Sequence, residues 1–257
     1  MTFEEYILNP MQKQGRVLNA TMREAMRNSY TSKFNNVMLR EAGKMKYYKF
    51  VDKKNNSYYI LLRIPSEVVS NFYYDVVLKF FAGADVEDAG RTLNHYNMQV
   101  FSNDPSFNFT YAYVFKENGL VISELEPKLA NLARKVTPKE TNPDHQIGYV
   151  KSLYFAYLYM KQRGLFKLLS WSDAEVYSKS KLVGLVMKAD DKIDDREREG
   201  KKVDTRKKIE VDKETAKKLN RMNISDTAKA RVVTKTKKTP TVKKTKAINS
   251  TTKSNRK

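Results

Sequence analysis

The sequence predicts an α+β protein: an antiparallel β-sheet flanked by N-terminal and C-terminal helices, followed by a disordered basic C-terminal tail. Three observations carry this reading. Tyr-, Ile-, Val- and Phe-rich runs fill the middle of the aromatic part of the chain. Helix start and stop signals bracket those runs on both sides. All 29 aromatic residues lie at or before Tyr177, so the last 80 of the 257 residues contain none. A stretch without large apolar side chains cannot offset the entropy of ordering itself.

Taken in order, Thr2 followed by Glu5 fits a capping box for a short helix, Phe3–Leu8, that Asn9-Pro10 closes. Val17, Ala20, Met22, Ala25 and Met26 recur mostly at helical spacing and predict an amphipathic helix over residues 16–30. Residues 45–51 and 57–64 lie either side of Asp52-Lys53-Lys54-Asn55-Asn56, the pattern of a β-hairpin with a polar loop. Pro65-Ser66-Glu67 permits one turn of helix. Over residues 72–80, strand periodicity gathers Phe72, Tyr74, Val76, Leu78 and Phe80 on one face with Asp75 and Lys79 opposite, which favours a strand over a helix.

Residues 83–93 form a connecting helix or loop, and 97–101 a strand. Residues 107–115 give the clearest strand, with Asn118-Gly119 as a type I′ turn signal leading into 120–125. After Pro127, Pro138 and Pro143, residues 147–163 form an apolar helix ended by Gly164. Another helix starts at Ser172 or Asp173 and runs to about Lys188.

Charge divides the chain into a folded domain (1–187), a charged and partly helical linker (188–226) and a disordered Lys/Thr-rich tail (227–257). The whole chain carries +20 and residues 188–257 carry +13, which leaves only +7 for the folded domain. Residues 190–199 mix signs at helical spacing and extend the preceding helix until Gly200, and Asp212 caps a short helix through Leu219.

Composition excludes much chemistry. With no cysteine there are no disulfides, zinc-thiolate sites or cysteine nucleophiles, and with only His95 and His145 histidine-based catalysis and metal binding lose support. No run approaches the roughly 18 apolar residues of a membrane-spanning helix. Met1-Thr2-Phe3-Glu4-Glu5 lacks the start of a secretory signal, so a soluble protein made inside the cell is expected. No glycine-rich phosphate loop is present, and no cofactor, metal or catalytic set is expected.

Four patterns remain. Phe109, Tyr111, Tyr113 and Phe115 alternate along the expected strand, as a base-stacking platform for single-stranded nucleic acid or as core residues of a covered sheet. Asp104, Glu126 and Lys128 loosely match a metal-dependent nuclease pattern, with Pro127 standing where that pattern wants a regular strand. Asp85, Glu87 and Asp88 lack the spacing of a calcium loop. The four tyrosines of the helix at 147–163 suit either the core or a contact between subunits.

The strongest signal is the tail. Lys229, Arg231, Lys235, Lys237, Lys238, Lys243, Lys244, Lys246, Lys253, Arg256 and Lys257 are not offset by a single acid from Thr227 onward. Such a segment condenses on a polyanion by releasing counterions, without reading sequence. Lysine outnumbers arginine, which suits point-charge phosphate contact better than bidentate base reading. An anionic membrane surface and a solubilising extension are the rivals, and no apolar face accompanies the lysines to favour membrane insertion.

Residues 1–11 (Met1-Thr2-Phe3-Glu4-Glu5-Tyr6-Ile7-Leu8-Asn9-Pro10-Met11), Phe101-Ser102-Asn103-Asp104-Pro105-Ser106-Phe107 and Gly148-Tyr149-Val150 together resemble a group of uncharacterised tailed-bacteriophage proteins encoded near virion structural genes. The resemblance covers residues 1–187 and brings no active-site residues with it. It implies a role in the virion or its assembly, located in the particle or the host cytoplasm, with other virion proteins, a second copy and packaged DNA as partners.

Overall fold

A computed structural model describes residues 1–199, apart from 11, 14–15, 42–44, 70, 83–91, 132, 134–141 and 143. Most of the connection expected at 83–93 lies outside the described residues. So do Gly200, the short helix expected from Asp212 and the whole of 227–257.

Two strands of nine residues, β4 (Ser57–Pro65) and β5 (Tyr73–Phe81), pair antiparallel along their whole length, with Leu61 opposite Val77. Their apolar side chains are buried on both faces, which makes them the centre of the sheet. β3 (Tyr47–Asp52) pairs with β4 through the expected hairpin, and β6 (Asn97–Ser102) pairs with β5. The fifth strand, β7 (Glu175–Val176), joins β3 in parallel, so the sheet is mixed, in the order β6-β5-β4-β3-β7. A separate ribbon pairs β1 (Gln12–Lys13) with β2 (Arg16–Val17).

The expected α+β architecture is present, with helices on both sides of the sheet in the sequence. Helix α1 (Phe3–Leu8) has its capping box: the Thr2 hydroxyl accepts the Glu5 N–H, and Glu5 accepts the Thr2 N–H at 2.7 Å. Helix α2 is displaced from expectation. It runs Ala20–Arg40 from the Asn19 cap and buries Tyr30, Phe34 and Val37, whereas Val17 and Met22 are 66% and 50% exposed. Val17 lies in β2, before the helix, and Met26 packs at the edge of the core, but the residues that α2 buries are the later Tyr30, Phe34 and Val37. Pro65 ends β4 instead of opening a helical turn, and the Ser66 hydroxyl accepts the N–H groups of Val68 and Val69.

The largest correction concerns residues 107–115. They are helical: a π-helical turn, Phe107–Tyr111, continues as α3 (Ala112–Glu117). Asp104 and Pro105 are the local cause. The Asp104 carboxylate accepts the Ser106 N–H at 2.9 Å, and proline supplies a preset φ where no N–H is needed. Asn118-Gly119 is correspondingly a helix end and not a hairpin. The Gly119 N–H donates to Lys116 O and the Leu120 N–H to Phe115 O, a Schellman closure around Gly119 at φ +67°. Beyond Gly119 the chain makes an isolated bridge, Val121 to Val100, and then a 3₁₀ segment, Ser123–Lys128.

The apolar tyrosine helix is α4, Lys151–Gln162, with Gly164 at φ +66° closing it in the same way. Eight of its twelve residues are buried. It lies between the sheet and α2, with Phe155 against Phe34 at 5.6 Å and Tyr157 against Phe3 at 5.6 Å between ring centroids. Each fully buried Phe here contributes about 1.5–3 kcal/mol by leaving water. In place of one helix over 172–188 come β7 and then α5 (Lys179–Leu185). Helix α6 (Ala189–Glu199) is separate from α5 rather than its extension.

Asp75, expected opposite the apolar face of its strand, is buried. Its carboxylate accepts the Met187 N–H at 3.2 Å and Asn103 Nδ2 at 3.3 Å, and faces Arg63 Nε at 3.5 Å. The C-terminal segment thus covers that face of β5, and burial holds the Asp75 carboxyl above its ordinary pKa despite these partners.

Candidate functional site

The helix takes the expected aromatic row apart. Tyr111 and Phe115, one turn apart, point into the core at 1% and 0% exposure, and Phe115 packs on Phe107 and Tyr6. Phe109 is 42% exposed on the other side, and Tyr113 is half-buried beside His145. The four rings therefore form no continuous stacking platform.

Asp104, Glu126 and Lys128 are each engaged apart from the others. Glu126 pairs with Lys116 at 2.6 Å, Lys128 donates to Val186 O at 3.0 Å, and Asp104 caps the Pro105 helix. Among the described residues no three His, Asp or Glu side chains are grouped to hold a metal ion. His145 is exposed, in a left-handed turn, 3.6 Å from Glu117. Asp85, Glu87 and Asp88 lie outside the described residues, as do the eleven tail cations. Among the described residues no helix is long and apolar enough to cross a membrane.

The structure brings together a site that sequence reasoning missed. A cleft of about 270 Å³ is lined by Lys13 from β1, Lys33 from α2, Lys151 from α4 and Arg196 from α6. Glu67 and Asp104 line it too, with hydroxyls from Tyr30, Ser66 and Ser106. Glu67 Oε2 accepts Lys151 Nζ at 2.8 Å and its Oε1 lies 3.4 Å from Lys33 Nζ. Burial alone would raise the Glu67 pKa, but the hydrogen bond and charge of Lys151, with Lys33, hold it below the usual carboxylate value.

Lys13 has a different neighbourhood. Its ammonium donates to the Tyr30 hydroxyl and stands 4.3 Å from the centroid of that ring. Burial, reinforced by repulsion from Lys33 and Lys151, pulls its pKa down from 10.5 to about 8. Burial likewise pushes the Tyr30 phenol well above its usual range. The sequence carries no distinct signal for this cleft: Lys151 opens a helix that also carries Lys161 in its last turn. The other cations come from positions far apart in the chain, and none stands in a motif.

Comparison with protein-family models, with curated proteins and with solved structures gives no match to this chain.

Proposed function

We propose that the protein is a non-enzymatic structural or assembly component that holds nucleic acid through its basic tail. Its folded α+β domain makes protein–protein contacts. One observation carries the reading: residues 227–257 hold eleven cations and no acid. Counterion release from such a segment gives sequence-independent binding to DNA that weakens steeply as salt rises. The fold supports the tail over the aromatic residues as the nucleic-acid element, because stacking by Tyr111 and Phe115 would require both to leave the core. The setting in a phage virion or its assembly, with other virion proteins as partners, comes from the resemblance of residues 1–187.

The test is DNA binding by the full-length chain and by a full-length variant with all eleven tail cations replaced by glutamine, from about 50 to 200 mM salt. The wild-type affinity is expected to fall steeply with salt, about 10³–10⁵-fold if six to ten phosphates are contacted. The variant is expected to lose most of the affinity and most of the slope. Equal affinity for the two proteins would remove the tail from the mechanism.

A further inference from the structure

We propose that the cleft between β1, α2, α4 and α6 is a binding site for a phosphoryl group, held by Lys13, Lys33, Lys151 and Arg196. This site is independent of the tail. Its four cations come from four separate elements, so their convergence is a property of the tertiary fold and not of one basic helix face.

Charge accounting leaves room for an anion. Four cations face two carboxylates, a balance of two positive charges in a partly enclosed space. Glu67 is shared by Lys33 and Lys151, and Asp104 accepts the Ser106 N–H. Among the described side chains Lys13 has no carboxylate within ion-pair distance and donates instead to the Tyr30 hydroxyl. Lys13 is nevertheless drawn inward over Tyr30, where two other ammonium groups repel it. An anion placed between them converts mutual repulsion into shared attraction.

The chemistry favours a phosphoryl group over a second carboxylate. A phosphate dianion matches the two surplus charges, and its tetrahedral oxygens can accept from several directions at once. Lysine and arginine supply the charge, and the Tyr30, Ser66 and Ser106 hydroxyls lie on the same walls as further donors. The volume, about 270 Å³, lies just under the roughly 300 Å³ at which sites for drug-sized ligands begin. It suits phosphate itself or a small phosphomonoester, such as the phosphorylated end of a nucleic-acid strand.

The experiment uses the full-length chain with the eleven tail cations replaced by glutamine, so that the tail cannot contribute. Inorganic phosphate is titrated by calorimetry at pH 8 in buffers of different ionisation enthalpy, and the lysine side chains are followed by NMR. The expected result is one saturable site with a dissociation constant of about 1 mM or tighter. Proton uptake on binding and movement of the Lys13 signal are expected with it. Lys13→Gln and Arg196→Gln should each weaken binding about tenfold or more, and Lys181→Gln, outside the cleft, should leave it unchanged. Binding that does not saturate, or that ignores both cleft substitutions, overturns the proposal. A 5′-phosphorylated oligonucleotide that displaces phosphate, where its 5′-hydroxyl counterpart does not, identifies a strand end as the source of the group. Phosphate binding with no displacement by either identifies a free phosphate or small phosphomonoester.

Discussion

Tyr59 and Tyr177 stack face to face, with ring centroids 4.3 Å apart and planes 11° apart, and both hydroxyls donate to Glu124 Oε1, at 3.4 and 3.1 Å. Tyr59 belongs to the central strand β4, and Tyr177 is the last aromatic residue in the chain. The stack therefore fastens the segment after β7 to the middle of the sheet. Tyr177→Ala is expected to cost about 2–3 kcal/mol, from lost apolar contact and lost stacking. Tyr177→Phe keeps the ring and loses the hydrogen bond to the carboxylate, about 1 kcal/mol at this half-buried position. Urea unfolding of the two variants measures both. Equal losses would assign the stability to the hydrogen bond instead of the stack.

Where the sequence was legible, the signal was local. Thr2 and Glu5 form a cap within four residues, and Asp52 accepts the N–H groups of Lys54 and Asn55 to shape the hairpin loop. Residues 107–115 misled because an aromatic run covered on nearly all sides satisfies strand alternation and helical packing equally well. The decision lay at its ends, in the Asp104-Pro105 start and the Gly119 stop. β7 was illegible for another reason: two exposed residues, Glu175 and Val176, are too short a run to signal a strand and become one only by pairing with Phe50 and Val51, far away in the chain. The cleft is the same case, since positions 13, 33, 151 and 196 meet only in the folded protein.

The helical assignment of 107–115 makes its four aromatics unequal. Tyr111→Ala and Phe115→Ala open cavities in the core and should each cost about 3–5 kcal/mol. Phe109→Ala removes a ring that is 42% exposed and should cost about 1 kcal/mol or less. Thermal or urea unfolding separates the two groups. A strand with one buried face would instead make all four substitutions similarly costly.

Asn108 gives a sharper test of the π-helical turn. Its amide donates to Ser102 O at 2.9 Å and Asp104 O at 3.0 Å, and its carbonyl accepts the buried Ala130 N–H at 2.9 Å. Asn108→Leu keeps the approximate volume and abandons all three partners. Each orphaned buried group costs about 1–3 kcal/mol, so the variant should lose several kcal/mol or fail to fold. Asn108→Asp, at an acid pH where its carboxyl is protonated, keeps the acceptor for Ala130 and one donor for the carbonyls, and should unfold less readily there than Asn108→Leu. The reverse order, read from urea midpoints, would show that this hydrogen-bond set does not hold the turn.

Alkaline pH should act on the fold with two opposite signs. Lys13 titrates near 8 in the fold and near 10.5 when unfolded, so between these values the unfolded chain binds more protons and stability rises with pH. The buried tyrosines do the reverse. Burial, the largest cause in each, pushes Tyr6, Tyr59 and Tyr149 far above 10, and raises Tyr177 to about 12. Their contribution is fully present below pH 10, where the unfolded chain still holds its phenolic protons, and is lost as pH climbs from 10 toward the folded values. Urea midpoints are therefore expected to rise gently from pH 8 and to fall beyond 10. Lys13→Met should flatten the rise, because it removes the group that drives it, and should leave the alkaline fall untouched. A rise that survives Lys13→Met would mean that Lys13 is not held against Tyr30, and with it the convergence of cations in the cleft would fail.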